Sequence, residues 1–417
     1  MPGPLAGGRR LPDDPDNWNP VRGAMPPGEA AGTVGGRVRG GARRLALLLA
    51  LALPLLQAGP APAGDVRLAA QVERARRLVA DAAALEHPWG GPWDGPRAEA
   101  GHHIVFLAFD PGNGGIQGVL DGVQEAAAVL SWRVTVLDGG ADEARSAALL
   151  REALAGAPSA VILGGADAAR LTELMGPGGF GAVPVFAWHG GVMPGRIPGT
   201  PVIFNVSTNA GAVADLAAAV AVADSDGRAG VVILADPGFS IAMEKGRVMR
   251  RAIEQCGGCE VLAFEEVRIA EARREMPGVV ARLRARFGAR WTHTLAINDV
   301  YFDAMEPVLA EIGSGAGPVP RNISAGDGSA SAFRRLAEGR FQAATVPEPL
   351  LMQGWQLLDE VNRHLAGKPV SGFVPPVAVV TPETVAGALS ATGLFDPPTG
   401  YRAAYRRIWG VEARVGQ

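Results

Sequence analysis

Residues 103–138 read HIVFLAFDPGNGGIQGVLDGVQEAAAVLSWRVTVLD, and they join two short apolar runs through one amphipathic segment. The apolar runs, 104–109 and 133–137, have the length and composition of buried strands, whereas residues 118–130 are typical of a helix. A strand, a helix and a second strand in this order form the βαβ unit of a parallel sheet. We therefore predict an α/β fold that starts near residue 103.

The same alternation continues along the chain and restarts near residue 230. Ten strands are predicted in all, at 104–109, 133–137, 160–163, 183–187, 202–205, 230–234, 260–264, 294–297, 322–324 and 343–346. The predicted helices between them are 118–130, 142–155, 209–223, 243–255, 277–287, 330–338 and 351–365. Because ten strands are too many for one comfortable doubly wound sheet, we predict two similar α/β lobes, each with a parallel sheet.

The composition is that of a chain that can build a core. Its 417 residues include 57 glycines and 33 prolines, yet 48% are hydrophobic, and the formal net charge is −3. This high fraction of hydrophobic residues argues against a disordered chain, and the lack of an excess of basic residues argues against a nucleic-acid binder. No apolar run reaches the roughly 20 residues that are needed to cross a bilayer.

The first 63 residues have the features of an export signal. Residues 1–42 show no hydrophobic period, and Arg43 and Arg44 then precede an apolar run at 45–56 that is followed by an A-x-A site ending at Ala63. We predict a secretory signal peptide that is cleaved after Ala63, with Met25 as one alternative translation start. Since no cysteine stands directly after the apolar run, at the predicted cleavage site, we expect a periplasmic protein without a lipid anchor.

The chain has two cysteines, Cys256 and Cys259, in a C-x-x-C spacing. In a cytosolic protein this spacing could indicate a redox motif or half of a zinc site. The predicted compartment is oxidising and there is no second cysteine pair, so we favour a local structural disulfide between a helix and a strand.

Motifs for catalysis and for nucleotide binding are absent from the sequence. There is no phosphate-binding G-x-x-x-x-G-K-[ST], no G-x-S-x-G elbow and no H-E-x-x-H, and the glycines of the loop at 112–118 do not give G-x-G-x-x-G. The pair His102 and His103 has no third ligand at a useful spacing, so no metal site is predicted. A hydrolase would also need a nucleophile with an activating base. We therefore predict a protein that is not an enzyme and that carries no cofactor.

Polar clusters follow six of the predicted strands. In open parallel sheets the carboxyl ends of the strands face the ligand crevice. One or two such clusters would be ordinary helix caps or turn formers, whereas six at the same end predict a binding cleft. The clusters are 110–115, 188–189, 236–240, 298–299, 327 and 348.

Five segments then follow one another in a specific order. They are the loop that holds Asn113, VPVFAWH at 183–189, AIND at 296–299, SAGDGS at 324–329 and ATVPEP at 344–349. Together they resemble the periplasmic sugar-binding proteins of the ribose-binding type, which are type I periplasmic binding proteins and substrate-binding components of ABC importers. The resemblance covers residues 101–381, which is most of the chain after the signal peptide.

The resemblance implies two Rossmann-like lobes that are joined by a hinge of three crossing strands and that grip a ligand between them. It implies a first lobe at 101–206 plus 349–378 and a second lobe at 207–348 plus 379–395. The sequence itself indicates a leader with a secretory signal peptide at 1–63 and an N-terminal helical preface at 64–100, and the remaining residues, 396–417, are predicted to form a C-terminal tail.

The ligand positions of the family fall on Asn113, Asn298 and Asp327. Asparagine offers both a donor and an acceptor, and a carboxylate accepts hydrogen bonds from adjacent hydroxyls, so these residue types suit a sugar. Glu348 stands at the position of the family's hinge glutamine. Of the neighbours Asn298 and Asp299, we expect Asn298 to face the cleft and Asp299 to cap the following helix.

The sequence departs from the ribose-binding pattern at four places, one of which is Glu348 in place of the hinge glutamine. His189-Gly190 replaces an Asp-Arg pair, Met243 replaces an arginine, and Gly115-Ile116 replaces an aromatic pair, so ribose itself is not the expected ligand. Trp188 and Phe239 are predicted to supply the lost stacking. The predicted ligand residues are thus Asn113, Trp188, His189, Phe239, Asn298, Asp327 and Glu348. Helix packing explains Gln353, Tyr301 and Met243 as well as ligand contact does.

The resemblance implies a monomeric solute-binding protein that delivers a sugar, a sugar acid or a polyol to an ABC permease in the inner membrane. Cleft closure on the ligand would be the signal that the permease reads. The alternative is a periplasmic sensor module that signals to a membrane receptor or histidine kinase. Both use the same closing cleft, so the sequence leaves this choice open.

Overall fold

The computed structural model describes residues 63–84, 88–315, 318–389 and 393–411. The predicted signal peptide, with Arg43 and Arg44 and the alternative start at Met25, lies outside them. No helix in the described part of the chain is long and apolar enough to cross a membrane.

Ten strands form two sheets of five, and every strand pair is parallel. The first sheet contains β1 (His103–Ala108), β2 (Arg133–Asp138), β3 (Ala160–Gly164), β4 (Val185–Trp188) and β5 (Val202–Val206). The second contains β6 (Gly230–Ala235), β7 (Glu260–Glu266), β8 (His293–Ala296), β9 (Arg321–Ser324) and β10 (Ala344–Thr345). Their orders are β2-β1-β3-β4-β5 and β7-β6-β8-β9-β10, so the two lobes share one topology and the predicted fold class is confirmed.

Helices cover the two sheets. They are α1 (Ala63–Ala83), α2 (Gly114–Leu130), α3 (Glu143–Leu154), α4 (Ala168–Met175), α5 (Ala210–Asp224), α6 (Ser240–Gln255), α7 (Ala272–Phe287), α8 (Val300–Gly315), α9 (Ala330–Ala337), α10 (Leu350–Leu365), α11 (Val385–Ala388) and α12 (Tyr401–Trp409). Four of them, α4, α8, α11 and α12, were not predicted from the sequence.

Helix α10 belongs to the first lobe, although it follows the last strand of the second lobe in the chain. This helix packs on α2 so closely that a Cβ added at Gly354 would lie 2.5 Å from the carbonyl carbon of Gly122. Only glycine allows the two backbones to approach in this way. The contact fixes α10 in the first lobe and thereby sets where the crossing segment before it must run.

The chain passes between the lobes at three crossing segments, 207–209, 346–349 and 374–376. Their flanking residues belong to the two separate cores: Val206 and Leu350 to the first, Val346 and Val379 to the second. An antiparallel bridge between Thr345 and Val380 ties two of the crossings together.

Both ends of the described chain add a further passage between the lobes. Helix α1 packs through Val72 on the core of the second lobe, whereas Trp89 lies in the core of the first. At the other end, Phe395 packs beside α9, and α12 then buries Tyr405 and Trp409 in the first lobe. The preface 64–100 is therefore shared between the lobes.

The tail predicted at 396–417 is corrected by α12. Its buried residues Tyr401, Ala404, Tyr405 and Ile408 recur at the i, i+3, i+4, i+7 spacing of an amphipathic helix. Helix α12 is a part of the first-lobe core, so residues 401–409 belong to the fold and not to a tail.

The structure pairs Cys256 with Cys259, with their Cα atoms 5.3 Å apart, at the end of α6. Gln71 of α1 binds this turn from outside: its Oε1 accepts from Gly257 N at 3.1 Å and its Nε2 donates to Gln255 O at 2.9 Å. The disulfide turn is therefore also the place where α1 is anchored to the second lobe.

Candidate functional site between the lobes

Six of the seven predicted ligand residues line one cavity where the carboxyl ends of the two sheets face each other. They are Asn113, Trp188, His189, Phe239, Asn298 and Asp327, and the wall is completed by Ile116, Gly165, Ile241, Ala242, Lys245, Ile269 and Ile297. The cavity volume is about 40 Å³, room for only about three water molecules. A monosaccharide is larger, so the lobes must move apart to admit one.

Asn113 follows β1 and starts α2. Its Oδ1 accepts a hydrogen bond from Gly115 N at 2.9 Å, so the residue is the helix N-cap as well as a part of the cavity wall. The cap uses the side-chain oxygen, and the amide nitrogen Nδ2 is the atom that can serve a ligand.

Trp188 is the last residue of β4 and His189 follows it, and both lie on the first-lobe side of the cavity. Their rings are stacked, with centroids 3.9 Å apart and planes 11° from parallel. His189 has φ of 53°, the left-handed region that non-glycine residues rarely adopt. Trp188 Nε1 donates to Gln353 Oε1 at 2.8 Å, which fixes the indole and hence the imidazole on top of it.

Phe239 supplies an apolar edge of the cavity from the second lobe. It stands immediately before α6 and meets Phe109 of the first lobe edge to face, at a centroid distance of 5.8 Å. Tyr301 has a packing role instead, because its hydroxyl donates to Val267 O at 2.5 Å inside the second lobe.

Asn298 and Asp327 form the second-lobe wall. Asn298 Nδ2 donates to Asp327 Oδ2, and Asn298 Oδ1 accepts from Val300 N at 2.9 Å, at the start of α8. Asn298 therefore faces the cleft as predicted and also supports the first turn of α8. Asp299 occupies the N-cap position of α8, since its backbone carbonyl accepts from Asp303 N at 3.3 Å, but its side chain turns to other partners.

Asp299 instead holds the loop that carries Asp327. Its carboxylate accepts from Gly328 N at 2.9 Å and from Gln342 Nε2 at 2.7 Å, and it is completely buried. Asp327 itself has φ of 61°, so its backbone needs such support. Asp299 is thus a positioning residue for the ligand loop.

Glu348 stands in the crossing segment between Pro347 and Pro349 and is completely buried. Its Oε1 lies 3.2 Å from Lys245 Nζ and 3.1 Å from His189 Nε2. Burial alone would raise the pKa of Glu348, but the charges of His189 and Lys245 outweigh it and hold the pKa well below its ordinary value. One carboxylate on the hinge therefore joins a residue of each lobe.

Lys245 is the site residue that sequence reasoning missed. Met243 occupies the family's arginine position, but its side chain packs against the second-lobe core. Lys245, two residues further along α6, lines the cavity and is 3% exposed. The available signal was a lone lysine on the apolar face of α6, four residues after Ile241 and four before Met249.

Comparison with known proteins gives the family. The model of the periplasmic binding protein domain matches residues 104–369. The chain belongs to the periplasmic binding protein family. The resemblance found in the sequence is thereby confirmed.

Solved structures similar to this periplasmic binding protein share its fold. GanP, a glucose-galactose binding protein from Geobacillus stearothermophilus, has 18% identity and a TM-score of 0.58 and covers 68% of this chain and 99% of its own. A solute binding protein from Agrobacterium vitis, bound with α-D-tagatopyranose, has 14% identity and a TM-score of 0.59, with coverages of 70% and 99%. A sugar ABC transporter protein from Yersinia enterocolitica has 16% identity and a TM-score of 0.63, with coverages of 77% and 96%. No curated protein matches the chain by sequence.

The buried Asp299 of this periplasmic binding protein predicts a pH dependence of stability. Burial raises the pKa of Asp299 from 3.8 to about 6, so between these values the folded protein holds a proton that the unfolded chain has released. Its contribution to the free energy of unfolding is complete below about pH 4 and is lost by about pH 6, with a slope of at most about 1.4 kcal/mol per pH unit.

We expect Asp299→Asn to remove this contribution. Urea unfolding between pH 4 and 7 should show that the stability of the native protein relative to the variant decreases as the pH rises. Asp81→Asn, at an exposed position of α1, should keep the native pH profile. Parallel profiles for the native protein and Asp299→Asn would contradict the prediction.

Proposed function

We propose that this protein is a periplasmic solute receptor of an ABC importer and that it binds a small polyhydroxylated molecule in the cleft between its lobes. The observation that carries the proposal is the convergence of hydrogen-bonding side chains from both lobes and from the hinge on one cavity. Asn113 and His189 from the first lobe and Lys245, Asn298 and Asp327 from the second line the cavity, and Glu348 from a crossing segment contacts His189 and Lys245 of that wall.

The arrangement suits binding by closure. A ligand held by groups of both lobes has more partners in the closed state than in the open one, and this difference in affinity drives closure. Burial from water then strengthens each hydrogen bond. Among the described residues that line the cavity there is no serine, threonine or cysteine, so the wall offers no hydroxyl or thiol nucleophile.

Export, location and partners are parts of the same proposal. The predicted signal peptide would deliver the protein to the periplasm, where the disulfide of Cys256 and Cys259 is stable. The protein would act as a monomer without a nucleic-acid partner, and a permease would recognise the two lobe surfaces in their closed arrangement. The similar structures, which include a glucose-galactose binding protein and a complex with α-D-tagatopyranose, support this ligand class.

Calorimetry with a panel of sugars and alditols tests the proposal. We expect at least one member to bind, and small-angle scattering should show that the same compound changes the radius of gyration. Asn298→Ala should weaken that binding about tenfold or more, because it removes a contact to Asp327 and one side of the wall. Asp81→Asn should leave it unchanged.

The proposal is overturned if no member of the panel binds and a native mass spectrum of freshly purified protein shows no bound small molecule. Once a ligand is known, its uptake by cells with and without this protein separates import from signalling to a membrane receptor.

A further inference from the structure

The cavity has two carboxyl side chains but one permanently charged cation. Two carboxylates belong to the site: Glu348, which is fully buried, and Asp327, which is 7% exposed. Within the described wall, Lys245 is the single lysine or arginine side chain. His189 adds positive charge only in its protonated form, so with both carboxylates ionised the four groups sum to −1 or to zero.

The one lysine already has an anionic partner. Lys245 Nζ lies 3.2 Å from Glu348 Oε1, and the lowered pKa of Glu348 keeps that carboxylate ionised. Glu348 is held from its other side as well, because its Oε2 accepts from Gln353 Nε2 at 2.8 Å. A ligand carboxylate would have to compete with a fixed internal one for Lys245.

Asp327 has no cation of its own. Throughout the described chain, no lysine, arginine or histidine nitrogen lies within 4.0 Å of its carboxylate, and its side-chain partner is the neutral amide of Asn298. Burial raises the pKa of Asp327, and the more distant Lys245 and His189 offset only a part of this. Such a carboxyl group gains from hydroxyl donors and is repelled by another carboxylate.

His189 has a spare polar atom at the same place. Its side chain is 9% exposed, and Nε2, although 3.1 Å from Glu348 Oε1, lacks hydrogen-bond geometry and has no other partner. A hydroxyl can satisfy an imidazole nitrogen in either protonation state, because it both donates and accepts.

We propose that the cleft selects an uncharged sugar or polyol and rejects the acid of the same carbon skeleton. This inference rests on the proposed function and narrows its ligand class. Hydroxyls can donate to the remaining acceptor positions of the Asp327 carboxylate, and they can donate to or accept from His189 Nε2, which lies beside Glu348 without a hydrogen bond. A third carboxylate would enter a closed site whose only permanent cation is already neutralised, and burying a charge without a partner is costly.

Calorimetry on matched pairs tests the inference. Each neutral compound that binds is compared with its acid, for example galactose with galacturonate or glucose with glucuronate. We expect the neutral member to bind at least about tenfold more tightly. In Glu348→Gln, which releases Lys245, and in Asp327→Asn, the ratio of acid to neutral affinity should rise at least about tenfold. Glu254→Gln, an exposed change on α6, should leave the ratio as it is.

Each outcome of the calorimetry either supports or overturns the preference for the neutral ligand. An acid that binds as tightly as its neutral partner overturns the inference and leaves the proposed function standing, as does a ratio unchanged in both cavity variants. If no member of any pair binds and the native mass spectrum shows no bound small molecule, the proposed function fails and the inference falls with it; an acid found bound in that spectrum overturns the inference alone. Should Glu348→Gln not fold, Asp327→Asn carries the test alone, since the ratio is insensitive to hydrogen bonds lost by both ligands.

Discussion

Replacing Lys245 by methionine is expected to lower the free energy of unfolding by about 3 kcal/mol at pH 7, because Glu348 is left as a buried carboxylate without its lysine. Methionine keeps most of the aliphatic volume of the side chain, so the change removes charge rather than packing. The chain offers a matched control in its other lysine: Lys368→Met alters an exposed position and should cost less than about 0.5 kcal/mol.

The pH dependence identifies the cause of that loss. In the native protein the pKa of Glu348 is depressed, so its contribution to stability is present above about pH 4.5 and is lost as the pH falls through the depressed value. The difference between native and Lys245→Met protein should therefore shrink below about pH 4.5. Urea unfolding at several pH values measures it, and a loss that is absent at pH 7 or constant with pH would refute the explanation.

Replacing Trp409 by alanine should destabilise the protein by about 3–5 kcal/mol, because it empties a large buried site. Trp409 is 1% exposed and stacks on Trp355, with ring centroids 5.3 Å apart and planes 7° from parallel. It also donates from Nε1 to Asp359 Oδ1 at 2.8 Å, so a buried carboxylate loses a partner as well.

Trp93 is the matched control for this change, since its side chain is 58% exposed. Trp93→Ala should alter stability by no more than about 0.5 kcal/mol. Denaturant unfolding followed by circular dichroism compares the two variants. Equal and small losses would show that α12 is not a part of the first-lobe core.

The strands were predictable because buried parallel strands are continuous apolar runs, as in β1 and β3, and these runs stand out between polar turns. Helix α8 was harder to find because Pro307 interrupts it. Helix α12 was missed although its own spacing is regular. Helix α12 is held in the first lobe because Tyr405 and Trp409 stack on Trp355. A local sequence pattern does not reveal which distant residue an aromatic side chain will contact.

The site was predictable to the extent that it follows strand ends. Asn113, Asn298 and Asp327 come directly after strands or in the loops that follow them, so topology alone brings them together. Lys245 lies inside a helix, where a shift of two residues from Met243 decides between core and cavity. Its ion pair with Glu348 joins residues of two separate segments, and only the folded chain shows it.

The first lobe is begun early in the chain and completed at its end. Its core takes Trp89, the strands up to Val206, the whole of α10 and finally α12, whereas the second lobe draws most of its core from the continuous stretch between 210 and 346. During synthesis the second lobe can therefore fold while the first still exposes apolar surface. That exposure ends only when Trp409 arrives, so chains that stop before residue 401 should be preferred substrates for proteases and chaperones.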